Sequence, residues 1–344
     1  MPSLASNIST ETYDNARSLP TDVWHAIRSN ARNANIVLPQ TNKALADEKS
    51  FLDEIICSPI KSLWIVCRSH ANVEFVLAVT EGFMGAYPIF IYTTLPFHNL
   101  TNEYIYPSIE VLVIALAAAV PRRRVYSIFA VEPIARVFAG EWTRFTGISN
   151  YATNPYYAAK ISYCTANTLA RQQNPPANYN LRVGVTRDIQ GIAELCYLFA
   201  KDSPPFCLTK EAALYEATQL VKKSQVWIHE AQQLGGGEIA CIVAFTRNSE
   251  TVAAITKVCT NPKWRRRGCA GRLVHKVCDH LLKGAERKES VVLYVAHDNH
   301  GAANVYHRVG FVGLGGGPEV EGVDPWLDRF RFHQSRSRPL VRSS

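Results

Sequence analysis

The spacing of hydrophobic positions in the second half of the chain changes between a strand period and a helix period several times. "LRVGVT" (181–186) alternates as a strand does, whereas the apolar residues of "DIQGIAELCYLFAKD" (188–202) share one helical face. "SVVLYVA" (290–296) is apolar on both faces, which is typical of a buried parallel strand. The predicted order is strand, helix, helix, three strands, helix, strand, short helix and two strands, at 181–186, 188–202, 210–223, 225–231, 237–247, 251–260, 272–283, 290–296, 302–309, 311–314 and 326–333. This order predicts an α/β unit.

The first half has a similar but weaker pattern. Its predicted strands and helices lie at 63–69, 74–82, 88–96, 109–120, 124–131, 132–147 and 156–165. They follow the same order as the elements after Gln225, so an internal repeat is a reasonable hypothesis. Where the second half has an arginine- and glycine-containing loop, the first half has "IYTTLPFHNLTNEYIYP" (91–107).

A boundary between the halves is indicated by "ARQQNPPANYN" (170–180), because consecutive prolines and polar residues interrupt either period. We therefore expect a first α/β domain at 1–172, a linker at 173–180, a second domain at 181–335 and a basic tail at 336–344.

Composition limits the classes of protein to consider. The chain has 344 residues, enough for two ordinary domains or one large one, and its 47% hydrophobic content can form a core. The net charge of +8 favours anionic ligands of some kind, but aromatic residues are not interleaved with Lys and Arg as in nucleic-acid recognition motifs, so we expect no nucleic-acid partner.

The nine cysteines form no Cys-x-x-Cys pair and mostly lie in apolar runs, which favours buried, reduced thiols and predicts no metal site. The amino terminus has no secretory pattern, and the longest apolar run, Val111 to Val120, is shorter than the roughly 20 residues that span a bilayer. We expect a cytoplasmic protein without a membrane partner. The oligomeric state is open.

The stretch "NPKWRRRGCAG" (261–271), called the Arg-Gly loop below, lies between a predicted strand and a predicted helix. Such a junction offers backbone N–H groups without intrahelical partners, and the helix dipole adds positive potential. Gly268, Ala270 and Gly271 allow close approach of a ligand, and the three arginines at 265–267 add charge. The combination suits a pyrophosphate. Neither a Walker loop nor a Gly-x-Gly-x-x-Gly motif is present at this loop.

These residues resemble a known family. "KVCTNPKWRRRGCAGRLV" (257–274) is similar to motif A of the GNAT N-acetyltransferase superfamily, with the signature Arg265-x-x-Gly268-x-Ala270. Downstream, "NHGAANVYHRVGF" (299–311) fits a second family pattern through Asn299, Ala302, Tyr306, Gly310 and Phe311. The resemblance extends over about 181–333. It implies the GNAT fold, a central mixed, twisted sheet flanked by helices, and the first half would be a degenerate copy of it.

The resemblance also implies a site for acetyl-coenzyme A. The backbone amides from Arg266 to Gly271 would hold the pyrophosphate, the backbone of Val258 and Thr260 would pair with the pantetheine arm, and Asn299 would touch that arm. The amide of Val258 would also face the thioester carbonyl, and Tyr306 would protonate the departing thiolate as general acid. The implied cofactor-binding set is Val258, Thr260, Arg265, Arg266, Arg267, Gly268, Cys269, Ala270, Gly271, Asn299 and Tyr306.

The reaction implied is transfer of an acetyl group to a primary amine by direct attack. Many family members have a glutamate base on the motif A strand, but Ala254 occupies that position here. Glu238, His297 and Asp298 remain as candidates for the base. The missing glutamate also keeps open an alternative, a catalytically inactive GNAT-like protein that binds coenzyme A or regulates another protein. The sequence does not identify the acceptor.

Some of these residues, and one further arginine-rich stretch, also allow a purely structural interpretation. Tyr306 could be a core aromatic on an amphipathic helix. Cys259 and Cys269 have no His or Asp pairing that would mark a nucleophile, so a structural role is favoured. "PRRR" (121–124) lacks a glycine-containing loop and fits an exposed helix-to-strand connection.

Overall fold

The computed structural model describes residues 8–50, 62–82, 85–148, 157–171, 179–201, 208–233 and 236–329. The chain has a mixed α/β fold and divides into two compact units. Unit 1 comprises Met1–Ala158 and Pro325–Ser344, and unit 2 comprises Ala159–Asp324. In each unit, helices pack against a mixed sheet.

The first half of the chain contributes seven strands and four helices to unit 1. The strands are β1 (Ile8–Tyr13), β2 (Leu63–Ser69), β3 (Asn72–Val79), β4 (Glu81–Gly82), β5 (Gly85–Ala86), β6 (Ile89–Thr93) and β7 (Ile128–Val131). The helices are α1 (Thr21–Ser29), α2 (Leu38–Ser50), α3 (Asn102–Ala119) and α4 (Glu132–Thr146).

The remaining elements follow α4. The strands are β8 (Tyr157–Cys164), β9 (Tyr179–Val183), β10 (Val226–Gln233), β11 (Gly236–Asn248), β12 (Val252–Thr260), β13 (Ser290–Ala296) and β14 (Pro325–Arg329). The helices are α5 (Ile189–Lys201), α6 (Lys210–Lys222), α7 (Cys269–Lys283) and α8 (His300–Val309).

The two units have matching strand orders. Unit 1 has the order β1-β2-β3-β6-β7-β14, and unit 2 has the order β9-β10-β11-β12-β13-β8. In each unit one neighbouring pair is parallel, β6 with β7 and β12 with β13, whereas the other pairs of known register are antiparallel. Strand β8, which follows α4, therefore pairs with β13 in unit 2, and β14, which follows α8, pairs with β7 in unit 1.

Most elements predicted from periodicity are present, among them the parallel strand β13 and the helix after the Arg-Gly loop. Two expectations need correction. "FVGL" (311–314) forms turns rather than a strand, and the strand at Trp326 belongs to unit 1 instead of closing the second domain. Periodicity indicates that a segment is a strand but does not identify its partner. Of the predicted linker, 173–178 lie outside the described residues, whereas Tyr179 and Asn180 begin β9. The predicted tail at 336–344 also lies outside them.

Unit 2 has an apolar layer on each face of its sheet. The predicted apolar stripe of α7 is buried against the sheet, with α8 on the same face. Helices α5 and α6 cover the opposite face. The predicted connection at "PRRR" joins α3 to β7, and the Arg124 guanidinium donates to the carbonyl oxygens of Tyr87 at 2.9 Å and Thr80 at 2.8 Å.

Seven cysteines fall within the described residues, and all seven are free and buried. Cys57 and Cys207 lie outside them. Across the described part of the chain, no three His, Cys, Asp or Glu side chains are grouped so that they could hold a metal ion. Within the same residues, no helix combines the length and the apolar character that crossing a bilayer requires.

Strand β14 brings a buried carboxyl group into unit 1. Asp328 is 5% exposed and accepts a hydrogen bond from the Ser127 hydroxyl. Burial raises the pKa of Asp328 from 3.8 to about 6. A folded-state pKa above that of the unfolded chain means that stability falls as the pH rises between these values.

We expect Asp328→Asn to stabilise the protein at pH 7.5, by on the order of 2 kcal/mol, because the amide removes the cost of an ionised buried carboxylate. Near pH 4 the carboxyl group is already protonated in the folded state, so the difference should disappear. Urea unfolding at the two pH values measures this. The control is Glu319→Gln, which makes the same change from carboxylate to amide at an exposed position. A variant less stable than the wild type at both pH values would contradict the prediction.

Candidate functional site

The parallel ladder between β12 and β13 stops in the middle of both strands. It pairs Val252–Ile255 with Ser290–Leu293, but β12 continues to Thr260 and β13 to Ala296. On their outer sides these continuations pair with β11 and β8 instead. A wedge therefore opens between these two neighbouring strands of unit 2, and we call it the β12–β13 wedge.

A β-bulge marks the point where the wedge begins. In the register of β11 with β12, Lys257 lies opposite Ala244 and Ile255 lies opposite Phe245, which leaves Thr256 as an extra residue. The Thr256 hydroxyl lies 2.9 Å from the hydroxyl of Thr246, the extra residue on β11. A bulge bends its strand and increases its twist, which accounts for the divergence of β12 from β13 after Ile255.

The direction of the backbone groups in the wedge follows from one hydrogen bond. The N–H of Asn261 donates to the Ala240 carbonyl of β11 at 2.9 Å. Because successive residues of an extended strand direct their N–H and C=O groups to opposite sides, Val258 and Thr260 direct theirs away from β11 and toward β13. These are the two residues for which the sequence predicts backbone contacts, and an extended ligand could add to β12 there as a further strand.

The Arg-Gly loop directly follows β12. A short 3₁₀ turn at Pro262–Trp264 is closed by the Asn261 side chain, which accepts from the Lys263 N–H at 3.1 Å. Next, φ is +62° at Arg266 and +74° at Gly268, whereas Arg267 between them has no positive φ. Alternation of the sign of φ turns successive N–H groups toward one side and forms a concave anion site.

Helix α7 begins at Cys269 with its amides uncapped. Gly268 occupies the N-cap position, and no side chain accepts a hydrogen bond from the first turn. Within the described residues, the N–H groups from Arg266 to Gly271 donate to no backbone acceptor. Since the N-terminus of a helix also carries a partial positive charge, this segment has the geometry and the potential to bind a phosphate group.

The three arginines of the loop are exposed, but two have defined contacts. The Arg265 Nε donates to the Thr260 carbonyl at 3.4 Å, and the Arg267 guanidinium lies 4.9 Å from the centre of the Trp264 ring. Cys269 is buried beside them, and burial raises the pKa of its thiol. A thiol with a raised pKa is a poor nucleophile, in agreement with a structural role.

Glu238, one of the three candidates for the base, lies at the start of β11 and contacts the loop. Its carboxylate accepts from the Trp264 Nε1 at 3.1 Å and from the Asn261 Nδ2 at 3.4 Å, and the Lys263 Nζ is 3.6 Å away. These contacts fix the position of the 3₁₀ turn relative to the sheet.

The second predicted motif forms helix α8. Asn299 is its N-cap and accepts from the Ala302 N–H at 3.0 Å. Tyr306 is half-buried, with its ring centre 5.8 Å from that of Phe311. It packs against the same apolar cluster as Val258 and Ala270. A Cβ built on Gly271 would lie 3.6 Å from Val305, an ordinary van der Waals distance, so α7 and α8 are close neighbours at this point.

The other two candidates for the base, His297 and Asp298, are exposed and directly follow β13. They lie at the end of the strand that borders the β12–β13 wedge. Ala254, at the position of the family's glutamate, is completely buried. Sequence reasoning missed two residues of this region, Trp264 and Arg272. Arg272 could have been suspected, because it lies one helical turn after Gly268.

Comparisons with known proteins match one segment of the chain to a family and the whole chain to a fold. The family model for acetyltransferases of the GNAT family matches residues 192–311. Among solved structures, a tandem GNAT protein from the clavulanic acid biosynthesis pathway is 14% identical and has a TM-score of 0.52, over 93% of this chain and 97% of its own. A Drosophila protein is 10% identical with a TM-score of 0.62, over 95% and 100%. At these identities the two structures are informative about the fold alone.

A search of curated proteins finds none that matches the sequence. The family match nevertheless includes the β12–β13 wedge, the Arg-Gly loop and helix α8. The fold match to a tandem protein extends over both units. Residues 192–311 therefore match the GNAT acetyltransferase family, and the chain as a whole has a fold similar to that of a tandem GNAT protein.

Proposed function

We propose that this protein transfers an acetyl group from acetyl-coenzyme A to a primary amine by direct attack. One observation carries the proposal. The β12–β13 wedge leads directly into the Arg-Gly loop, so that an extended arm and a pyrophosphate could be bound by consecutive stretches of one chain segment. The pantetheine arm and the pyrophosphate of coenzyme A are joined in this order.

Acetyl-coenzyme A would supply an activated thioester, and the protein would supply orientation, hydrogen bonds and proton transfer. The backbone of Val258 and Thr260 would bind the pantetheine arm, and the amides from Arg266 to Gly271 would hold the pyrophosphate, with Arg265 adding charge. The Nδ2 of Asn299 would contact the arm, since its Oδ1 caps α8.

Three protein groups would act on the reaction. As the amine nitrogen bonds to the thioester carbon, the Val258 N–H would donate to the oxygen that becomes negatively charged. When the C–S bond breaks, Tyr306 would give its proton to the thiolate. The proton lost by the amine would pass to a base, directly or through water. Because Trp264 and Asn261 already donate to Glu238, we assign the base to His297 or Asp298 and the support of the loop to Glu238.

A second function is favoured by one residue. Buried Ala254 offers no carboxylate where many family members have their base, which suits a protein that binds coenzyme A without catalysis. Release of free thiol from acetyl-coenzyme A, measured across a panel of primary amines, distinguishes the two. Saturable coenzyme A binding without thiol release for any amine would favour the binding protein.

We expect Gly268→Asp to weaken coenzyme A binding by about 100-fold or more, which corresponds to about 2.7 kcal/mol. The new Cβ would lie 2.7 Å from the Arg272 Nη1, the φ of +74° would strain any side chain, and the carboxylate would repel the pyrophosphate. Titration calorimetry measures the affinity. Gly317→Asp adds the same charge where no atom lies within 4 Å of the Cβ, and it should bind coenzyme A as the wild type does. Unchanged binding by Gly268→Asp would refute the proposed pyrophosphate site.

We expect Tyr306→Phe to lower kcat by about 100-fold, within the range typical of lost general acid catalysis. The KM for acetyl-coenzyme A should change little, because the ring that packs near Phe311 is retained. Steady-state kinetics on the best acceptor of the amine panel give both constants. The control is Tyr197→Phe, which removes the hydroxyl of an exposed tyrosine on α5. A wild-type kcat in Tyr306→Phe would show that another group protonates the departing thiolate.

A further inference from the structure

Arg272 lies one turn into helix α7, and its side chain reaches back under the Arg-Gly loop. The Nη2 donates to the carbonyl oxygen of Arg267 at 2.8 Å. In addition, the backbone N–H of Arg272 donates to the Gly268 carbonyl at 3.2 Å. Arg272 thus binds two consecutive carbonyl groups of the loop.

The first of these bonds fixes the direction of an amide. The carbonyl of Arg267 and the N–H of Gly268 belong to one planar trans peptide unit, in which they point in opposite directions. A guanidinium bound to the carbonyl therefore directs the N–H of Gly268 away from Arg272. That N–H is one of the six amides assigned above to the pyrophosphate.

The guanidinium is itself held in place from the sheet. Its carbon lies 4.7 Å from the centre of the Tyr179 ring, and its Nε lies 3.4 Å from the His229 Nε2. His229 is 2% exposed, and its ring centre is 4.6 Å from that of Tyr179. Burial and the charge of Arg272 lower the pKa of His229 to about 4, so the ring is neutral at pH 7 and its Nε2 can accept a hydrogen bond.

Gly268 provides the space for this arrangement. A Cβ at this position would lie 2.7 Å from the Arg272 Nη1. The glycine is thus required by the left-handed backbone at φ +74° and also by the guanidinium beneath it. Both requirements concern the peptide unit that Arg272 binds.

We infer that Arg272 is a positioning residue, which orients the Arg267–Gly268 peptide for the pyrophosphate without touching the transferred acetyl group. This inference rests on the proposed function, since it assumes that the loop binds coenzyme A. It assigns to the side chain of Arg272 a geometric role in addition to its charge. Loss of this role should weaken coenzyme A binding and raise the KM for acetyl-coenzyme A, and it should leave the rate of the chemical step nearly unchanged.

The test compares Arg272→Met, which removes the donors, with Arg272→Lys, which keeps the charge but not the planar group that stacks on Tyr179. The matched control is Lys276→Met, which removes one positive charge from the same helix one turn further on. Coenzyme A affinity is measured by titration calorimetry. Binding of S-acetylpantetheine, which lacks the pyrophosphate, is followed by ligand-observed NMR.

For Arg272→Met we expect coenzyme A affinity to fall by about 10-fold or more, as for the loss of a charge-assisted hydrogen bond. The KM for acetyl-coenzyme A should rise similarly, with kcat within about threefold of the wild type. Arg272→Lys should recover only part of the affinity. Lys276→Met should resemble the wild type, and S-acetylpantetheine should bind equally to all variants. Tyr179→Leu, which keeps Arg272 but removes the stacked ring, should give a smaller loss of coenzyme A affinity.

Several results would overturn the inference. Wild-type affinity in Arg272→Met would show that the peptide needs no support, and full recovery in Arg272→Lys would reduce the role to charge alone. An equal loss in Lys276→Met, or weaker S-acetylpantetheine binding in Arg272→Met, would show an effect that is not specific to the pyrophosphate. If the wild type binds no coenzyme A, the proposed function itself fails, and this outcome is recognised before any variant is compared.

Discussion

The parallel ladder of β12 and β13 ends after four residue pairs, and the rest of the candidate site depends on this interruption. Had the ladder continued to Thr260, the N–H and C=O groups of Val258 and Thr260 would pair with β13 and could not receive a ligand. The bulge at Thr256 prevents this by bending β12 at the point where the pairing stops. Pairing with β11 and β8 on the outer sides keeps both strands extended beyond that point.

The Arg-Gly loop is held at several places by side chains that need not contact a ligand. Glu238 binds Trp264, Trp264 supports the Arg267 guanidinium, and Arg272 binds the Arg267 carbonyl. Arg267 is thereby fixed at its side chain and at its backbone. A loop whose amides are oriented before binding loses less conformational entropy when the ligand arrives, which is the physical advantage of such support.

Unit 1 repeats the strand order without this geometry. The parallel pair of β6 and β7 is in register from Ile89 to Ile91, and β6 extends only two residues further. At the start of α3, the Thr101 hydroxyl caps the helix by accepting from the Tyr104 N–H at 3.4 Å. The third residue of β3, Glu74, accepts from the Tyr104 hydroxyl at 2.8 Å, much as Glu238 on β11 accepts from Trp264. A carboxylate at this strand position can therefore support the following segment in either unit, which favours the same role for Glu238.

The sequence by itself determined most elements of the second half, the position of the loop before α7 and the family motifs, because periodicity and short motifs are local properties of a chain. It could not reveal that β8 pairs with β13 in unit 2 and β14 with β7 in unit 1, since strand pairing depends on contacts between distant residues. Nor could the sequence predict that the β12–β13 ladder ends at Ile255, because this depends on strand register. The contacts of Glu238 could not be predicted either, because the fold brings those side chains together. Arg272 lies four residues after Gly268 in the printed sequence. Only the tertiary structure shows that the Arg272 side chain lies next to that glycine, where it contacts Tyr179 of β9 and His229 of β10.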